Sequence, residues 1–227
     1  MSNVIKEVYK KQVWGFFDRI VEADVQKRIQ NKDFTIICPN CLGGVLYHRL
    51  GMRFDSPTIN TWMYKTDFCK MCSDLPYYME QELHFYENKI KVGVPSATIG
   101  EGNRMIRIDF AHYKTEKEAR EKWEDRKARI HWDNIFIMAC DGDGATKDDF
   151  DLLNGVGKRR IVFTSREHLE ISNSFVLKSM SHYETATAMQ LTRHPITGLR
   201  SWEREFDYVE WLNTGRIVRR QWGIWGR

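Results

Sequence analysis

Apolar residues at Val8, Val13, Phe16, Phe17, Ile20 and Val21 recur at a spacing closer to helical than to alternating. Residues 4–30 therefore predict one amphipathic helix or two short ones. The compact run Phe34–Ile37, rich in β-branched and aromatic residues, predicts a buried strand over 33–38. Pro39 and Asn40 stop that strand, and Cys41-Leu42-Gly43-Gly44 turns the chain. Val45 to Leu50 then predicts a short apolar helix with Gly51 at its C-terminal cap. Strand, glycine-containing turn and helix in this order put backbone N–H groups and one reactive side chain at the carboxyl end of a sheet. Open α/β sheets bind ligands there.

Beyond the polar stop Asp55-Ser56-Pro57-Thr58, a short strand is expected around Ile59–Met63. Phe68, Met71, Cys72, Leu75 and Met79 predict a helix over 65–82, with Pro76 kinking or dividing it. KVGVPSATI and MIRIDFA predict two strands joined by the turn Gly100–Asn103. Thr115 and Glu118 form a capping-box signature for a helix reaching Ile130. A buried strand follows at Asn134–Cys140, then the loop Asp141-Gly142-Asp143-Gly144. Thr146, with Asp149 three residues on, caps a helix to about Leu153, and Arg160–Thr164 is another strand. The segment SFVLKSM reads as a strand, the polar stretch after it as loop or helix, and a last helix falls at about Glu203–Leu212.

Strands alternating with helices predict an α/β fold: a mostly parallel sheet flanked by helices, Rossmann-like and three-layered, with the 90–110 pair as an antiparallel edge or insertion. The length predicts a single domain over residues 1–213, with a helical lead-in at 1–30 and a basic, aromatic tail at 214–227.

Composition changes this picture little. An apolar fraction of 42% and a charged fraction of 29% are those of a globular protein that needs no staple for its core. A net charge of +4 is too small to predict nucleic-acid binding. The first 30 residues lack the continuous apolar stretch of a signal peptide, no segment has the length of a membrane span, and unpaired cysteines suit a reducing compartment. The expectation is a cytoplasmic protein. The tail TGRIVRRQWGIWGR, with four arginines and no acid, is suited to peripheral contact with an anionic membrane face or to a protein interface.

Three blocks carry a family resemblance: ICPNCLGGVLYHRLGMRFDSPTINTWM, FAHYKTEKEAREKWEDRKARIHWDNIFIMACDGDG and FDYVEWLN. In this order, over about residues 30–213, they resemble an uncharacterised bacterial domain-of-unknown-function family that carries the label of exopolysaccharide or capsular polysaccharide biosynthesis. The resemblance implies a role in cell-surface polysaccharide synthesis. It implies no particular reaction. The family pattern keeps a cysteine at Cys41 and usually a small polar residue at Cys38.

Candidate chemistry centres on two loops. Cys41 at a helix start is expected to have a lowered pKa, with His48 or His112 as base and acid and the N–H groups of Gly43 and Gly44 beside it. This layout suits acyl transfer through a thioester, with coenzyme A as a donor carrier. Asn40 and Ser56 flank the turn as candidate ligand contacts. The alternative for Cys41 is a packed residue that only shapes the turn, with glycines chosen for positive φ.

Asp141 and Asp143 follow a strand and are candidate ligands for Mn²⁺ or Mg²⁺ on a nucleotide sugar, which suits sugar transfer. Acidic turns are also common for local reasons. Asp148 and Asp149 suit the first turn of the next helix, and His168 is a less favoured site residue. Cys38-x-x-Cys41 and Cys69-x-x-Cys72 have zinc-site spacing, but Cys38 closes an apolar strand and Cys72 continues a helical apolar face, so zinc is the disfavoured alternative. The expectation is a transferase acting on an activated sugar or acyl donor. A non-catalytic nucleotide-, coenzyme- or glycan-binding protein and a zinc-stabilised adaptor are the alternatives.

Overall fold

The computed structural model describes residues 3–142, 144–157 and 159–221. In chain order the first elements are α1 (Asn3–Arg28), β1 (Thr35–Ile37), α2 (Leu42–Arg49), α3 (Lys65–Ser73) and α4 (Leu75–Glu80). β2 (His84–Tyr86), β3 (Ser96–Ile99), β4 (Ile106–Asp109) and α5 (Glu116–Lys127) follow. The rest comprises β5 (Ile135–Cys140), α6 (Lys147–Gly155), β6 (Arg160–Thr164), β7 (Ser174–Val176), α7 (Ser201–Glu205) and α8 (Tyr208–Thr214).

The architecture is α/β. Strands β1, β5, β6 and β7 form a parallel sheet in that order, and β2, β3 and β4 form a separate antiparallel sheet inserted between β1 and β5. The period of two along each strand divides the parallel sheet's side chains between two cores. Ile36, Phe136, Met138, Cys140, Ile161 and Phe163 face one core, which includes Val21 and Val25 of α1, Leu46 of α2 and Trp211 of α8. Ile37, Ile137, Ala139 and Val162 face the other, with Phe68 of α3, Trp123 of α5 and Ile108 of β4.

β1 is an edge strand, and side-chain hydroxyls satisfy its open side. The Tyr47 hydroxyl accepts from Ile36 N–H at 3.2 Å and donates to the Phe34 carbonyl at 3.0 Å. Thr58 Oγ1 accepts from Cys38 N–H at 3.2 Å, and Ser56 Oγ lies 3.1 Å from Thr58 Oγ1 and accepts from Thr58 N–H. The Ser-Pro-Thr block therefore closes the edge of the sheet, and Ser56 is engaged in that closure.

Several element boundaries differ from those expected. The strand predicted around Ile59–Met63 is a turn followed by a single bridge, Trp62 opposite Asp109. Asn60 at φ 63° takes the left-handed conformation there and breaks any strand. The helix predicted over 65–82 is divided at Asp74, whose carboxylate caps α4 at Tyr77 N–H, with Pro76 in the first turn. The strand expected from Lys91 begins only at Ser96, and β2 lies outside the strands that the sequence predicts. The last helix is interrupted at Phe206, which pairs with Arg219.

Candidate functional site

The Cys41 turn is built by its neighbours. Cys38, at the end of β1, donates its thiol hydrogen to the Asn40 carbonyl and accepts from Gly43 N–H, both at 3.1 Å. Burial pushes the Cys38 thiol up to about 11, which keeps it in the protonated form that can donate. Asn40 Oδ1 accepts from Leu42 N–H at 3.2 Å, a local turn that satisfies the first N–H group of α2. The glycines answer to space, since neither has positive φ: a Cβ on Gly43 would lie 2.8 Å from Cys38 Sγ, and one on Gly44 would lie 3.2 Å from Asn60 Oδ1. The helix thereby lies close against the strand end, and Cys41 is left half-buried at its start.

His112 arrives from the inserted sheet. The chain leaves β4 through Phe110, and the Tyr113 hydroxyl donates to the Ile59 carbonyl at 2.8 Å. Arg126 of α5 donates to both Ile59 O and the Tyr113 oxygen, fixing the loop to the turn that packs on Gly43 and Gly44. His112 Nε2 then lies 3.1 Å from Cys41 Sγ. No carboxylate is hydrogen-bonded to the imidazole among the described residues, so the pair is a dyad. His48 lines the same cavity from α2 but makes no bond to Cys41.

The electrostatics differ from those expected of a helix start. Burial raises the Cys41 pKa, and the charge of Arg200 opposes it. The Leu42 and Gly43 N–H groups are taken by Asn40 and Cys38, so the Gly43 N–H is not available to a substrate oxygen. Burial therefore favours the thiol over the thiolate at Cys41, with His112 Nε2 within hydrogen-bond reach of it.

A cavity of about 540 Å³ opens over the dyad. One wall is an ionic network centred on Arg49, in the last turn of α2. Arg49 is 4% exposed and donates to Glu203 at 2.7 Å, to Glu22 at 2.9 Å, and to Asp18. Glu203, fully buried, also accepts from Arg200 N–H and Nη1. Arg193 and Arg200 complete the wall, and α1 contributes Asp18 and Glu22.

A family model described as a domain of unknown function, DUF1919, matches residues 13–213, a span that takes in both members of the dyad and all of this wall. The chain belongs to the DUF1919 family. An uncharacterized protein of Haemophilus influenzae is similar to it, 28% identical over 210 residues that cover 92% of this chain and 96% of that protein.

In this DUF1919 chain the second loop is arranged differently from the first. The parallel sheet does bring Asp141 to the same carboxyl edge as Cys41. Its carboxylate, however, is buried and accepts from Ser165 N–H at 3.1 Å and Ala186 N–H at 2.6 Å, with His168 Nε2 at 3.4 Å. Asp141 therefore ties β6 and the 186–190 turn to β5. A Cβ on Gly142 would collide with Thr187, so that glycine is there for close approach. Asp143 lies outside the described residues.

Asp149 closes a capping box with Thr146, as its position predicted. Among the described residues no three His, Cys, Asp or Glu side chains gather as a metal site, so the fold does not assemble Cys38, Cys41, Cys69 and Cys72 around zinc. No helix among the described residues is long and apolar enough to cross a membrane. The tail's Arg216, Arg219 and Arg220 pair with Glu210, Glu205 and Asp24, and residues 222–227 lie outside the described residues.

Sequence reasoning missed Arg49, Arg193, Arg200, Asp18, Glu22 and Glu203. The available signal was a charged residue inside an apolar helical run, Arg49 between Leu46 and Leu50, where an unpaired charge would be costly.

Proposed function

We propose that this protein is a thiol-dependent acyltransferase, with Cys41 as nucleophile and His112 as its base and acid. The observation that carries the reading is the 3.1 Å contact between Cys41 Sγ and His112 Nε2 at the floor of an open cavity. Against sugar transfer stands the engagement of Asp141 by two backbone N–H groups, which leaves it poorly disposed to hold a cation. The polysaccharide resemblance suggests that the acceptor is a hydroxyl of a surface glycan or its precursor, acylated at the inner face of the membrane or in the cytoplasm.

His112 removes the Cys41 proton as the sulfur attacks the carbonyl carbon of a thioester donor. The carbon–sulfur bond of the donor then breaks, its thiolate takes the proton from His112, and the acyl group is held on Cys41. An acceptor hydroxyl next gives its proton to His112 and attacks the acyl carbon. The Cys41–acyl bond breaks and the proton returns to the Cys41 sulfur. Donor thioester and alcohol become ester and thiol, with no redox change.

Intact-protein mass spectrometry after incubation with acetyl-coenzyme A and with p-nitrophenyl acetate tests this. One acetyl group on Cys41 is expected, absent in Cys41→Ser and formed about 10²-fold more slowly in His112→Ala. Absence of any adduct on Cys41 from both donors, in protein shown to be folded, would favour the non-catalytic binding alternative.

A further inference from the structure

Residues 193–200 form a tight turn in which His194 N–H donates to Leu199 O and Gly198 N–H donates to His194 O. Arg193 and Arg200 stand directly opposite each other across its bridge. Like charges in that register repel. The turn has little freedom to separate them, because α1 clamps it. Trp14 Nε1 donates to Pro195 O at 3.2 Å, and a Cβ on Gly198, at φ +70°, would lie 2.4 Å from the Trp14 ring.

Counter-charge is scarce at this pair. Glu203 is the carboxylate that pairs with Arg200, and it is shared with Arg49. Asp18 and Glu22, on the same wall, are already held by Arg49. Arg193 makes no ion pair among the described residues. It donates Nη1 to Gly198 O and lies over the Trp14 ring. Arg200 uses Nε on Gln190 O and Nη1 on Glu203. The Nη2 groups of both arginines and Nε of Arg193 find no protein acceptor among the described residues. Burial and the neighbouring charges of Arg193 and Arg49 act to lower the Arg200 pKa, against the pull of Glu203.

We infer that Arg193 and Arg200 are an anion subsite of the Cys41 cavity, built to take a phosphate or carboxylate group of the substrate. Two forked guanidinium groups with open N–H donors match the geometry of either oxyanion, and an anion between them relieves the repulsion that the turn imposes. The subsite rests on the reading of Cys41 as the reacting thiol. It adds to that reading that the substrate carries a negative group on the Arg193–Arg200 side of the sulfur. A phosphoryl group of the donor's carrier and a carboxylate on the glycan acceptor present the same chemistry here.

Alkylation with two reagents of similar size, neutral iodoacetamide and anionic iodoacetate, measures the field at Cys41 in the full chain. The ratio of iodoacetate to iodoacetamide rates at Cys41 is expected to exceed that of 2-mercaptoethanol by about tenfold, equivalent to about 1.4 kcal/mol. It is expected to fall toward the free-thiol value in Arg193→Gln. Protection of Cys41 by millimolar pyrophosphate or phosphate would assign a phosphoryl ligand, and protection by glucuronate alone a carboxylate.

A ratio equal to that of the free thiol and unmoved by Arg193→Gln would overturn the subsite. Inertness of Cys41 to both reagents would instead sink the nucleophile reading. Thermal stabilisation by pyrophosphate, phosphate and glucuronate, compared between wild type and Arg193→Gln, then decides the subsite without using the thiol. A stabilisation lost in the variant supports it, and no stabilisation by any of the three overturns it.

Discussion

Cys41 and Cys38 are three residues apart and do opposite work. Cys38 is fully buried, donates its hydrogen to Asn40 O and receives one from Gly43 N–H, so its thiol is a structural pin. Cys41 is half-buried, faces a cavity and meets an imidazole. The same contrast separates Tyr47 from an ordinary core aromatic. Its ring stacks on Phe34 at 5.6 Å while its hydroxyl stands in for a missing strand. Tyr47→Phe leaves Ile36 N–H and Phe34 C=O without those partners on a buried edge and is expected to cost about 2 kcal/mol. A urea midpoint measures that loss. A change within a few tenths of a kcal/mol would mean that water replaces the hydroxyl.

At the scale of elements, α2 is defined at both ends by local chemistry. Asn40 Oδ1 accepts the Leu42 N–H at its start, and its end is a Schellman motif in which Gly51 N–H donates to His48 O and Met52 N–H to Tyr47 O. Gly51, at φ +63°, is required there. The helix carries Cys41 at one end and Arg49 at the other, and Arg49 joins it to α1 and α7. The joints differ in burial: Glu203 is fully buried, whereas the side chains of Asp18 and Glu22 are 32% and 28% exposed. Glu203→Ala leaves Arg49 and Arg200 short of a buried counter-charge and is expected to destabilise by about 3–5 kcal/mol. Asp18→Ala and Glu22→Ala should each cost no more than about 1 kcal/mol. Denaturant titration of the three variants checks the order, and equal costs would mean that solvent reaches Glu203.

For the molecule as a whole, the buried thiols set an alkaline limit. Against an ordinary value of 9.0, burial raises Cys38 to about 11, Cys69 to about 12 and Cys72 well above it. The folded state therefore holds these protons where the unfolded chain releases them. The stabilisation is complete below pH 9 and is lost as pH rises through the folded values. Each thiol removes about 1.4 kcal/mol per pH unit within that window. Urea midpoints should be level to pH 8.5 and fall steeply by pH 10.5, and they should fall less in Cys38→Ser measured against its own neutral-pH value. The helix α1, the end of the parallel sheet, the inserted antiparallel sheet and the 193–200 turn meet around one cavity, which is how residues from four distant stretches come to line it together.

Local physics made much of this legible in the chain. The continuous apolar run at 135–140, the β-branched and aromatic run at 161–164, the caps at Thr115 and Thr146, Gly51 past α2 and the alternation of strands with helices all act within a few residues, so the sequence alone determined an α/β chain with Cys41 at a turn after its first strand. The choice of His112 over His48 was not legible. It depends on Tyr113 and Arg126 gripping Ile59, contacts that close only when the inserted sheet docks on the turn. The raised pKa of Cys41 was hidden for the same reason, because desolvation belongs to the packed neighbourhood and outweighs what a helix start suggests. Asp141 looked like a metal ligand in sequence and became a clamp once β6 and the 186–190 turn supplied their N–H groups. The facing arginines, 193 and 200, follow from a turn that Trp14 holds in place from the far end of the chain. Short-range preferences wrote the elements, and long-range contacts, which no local pattern encodes, decided which side chains share the site.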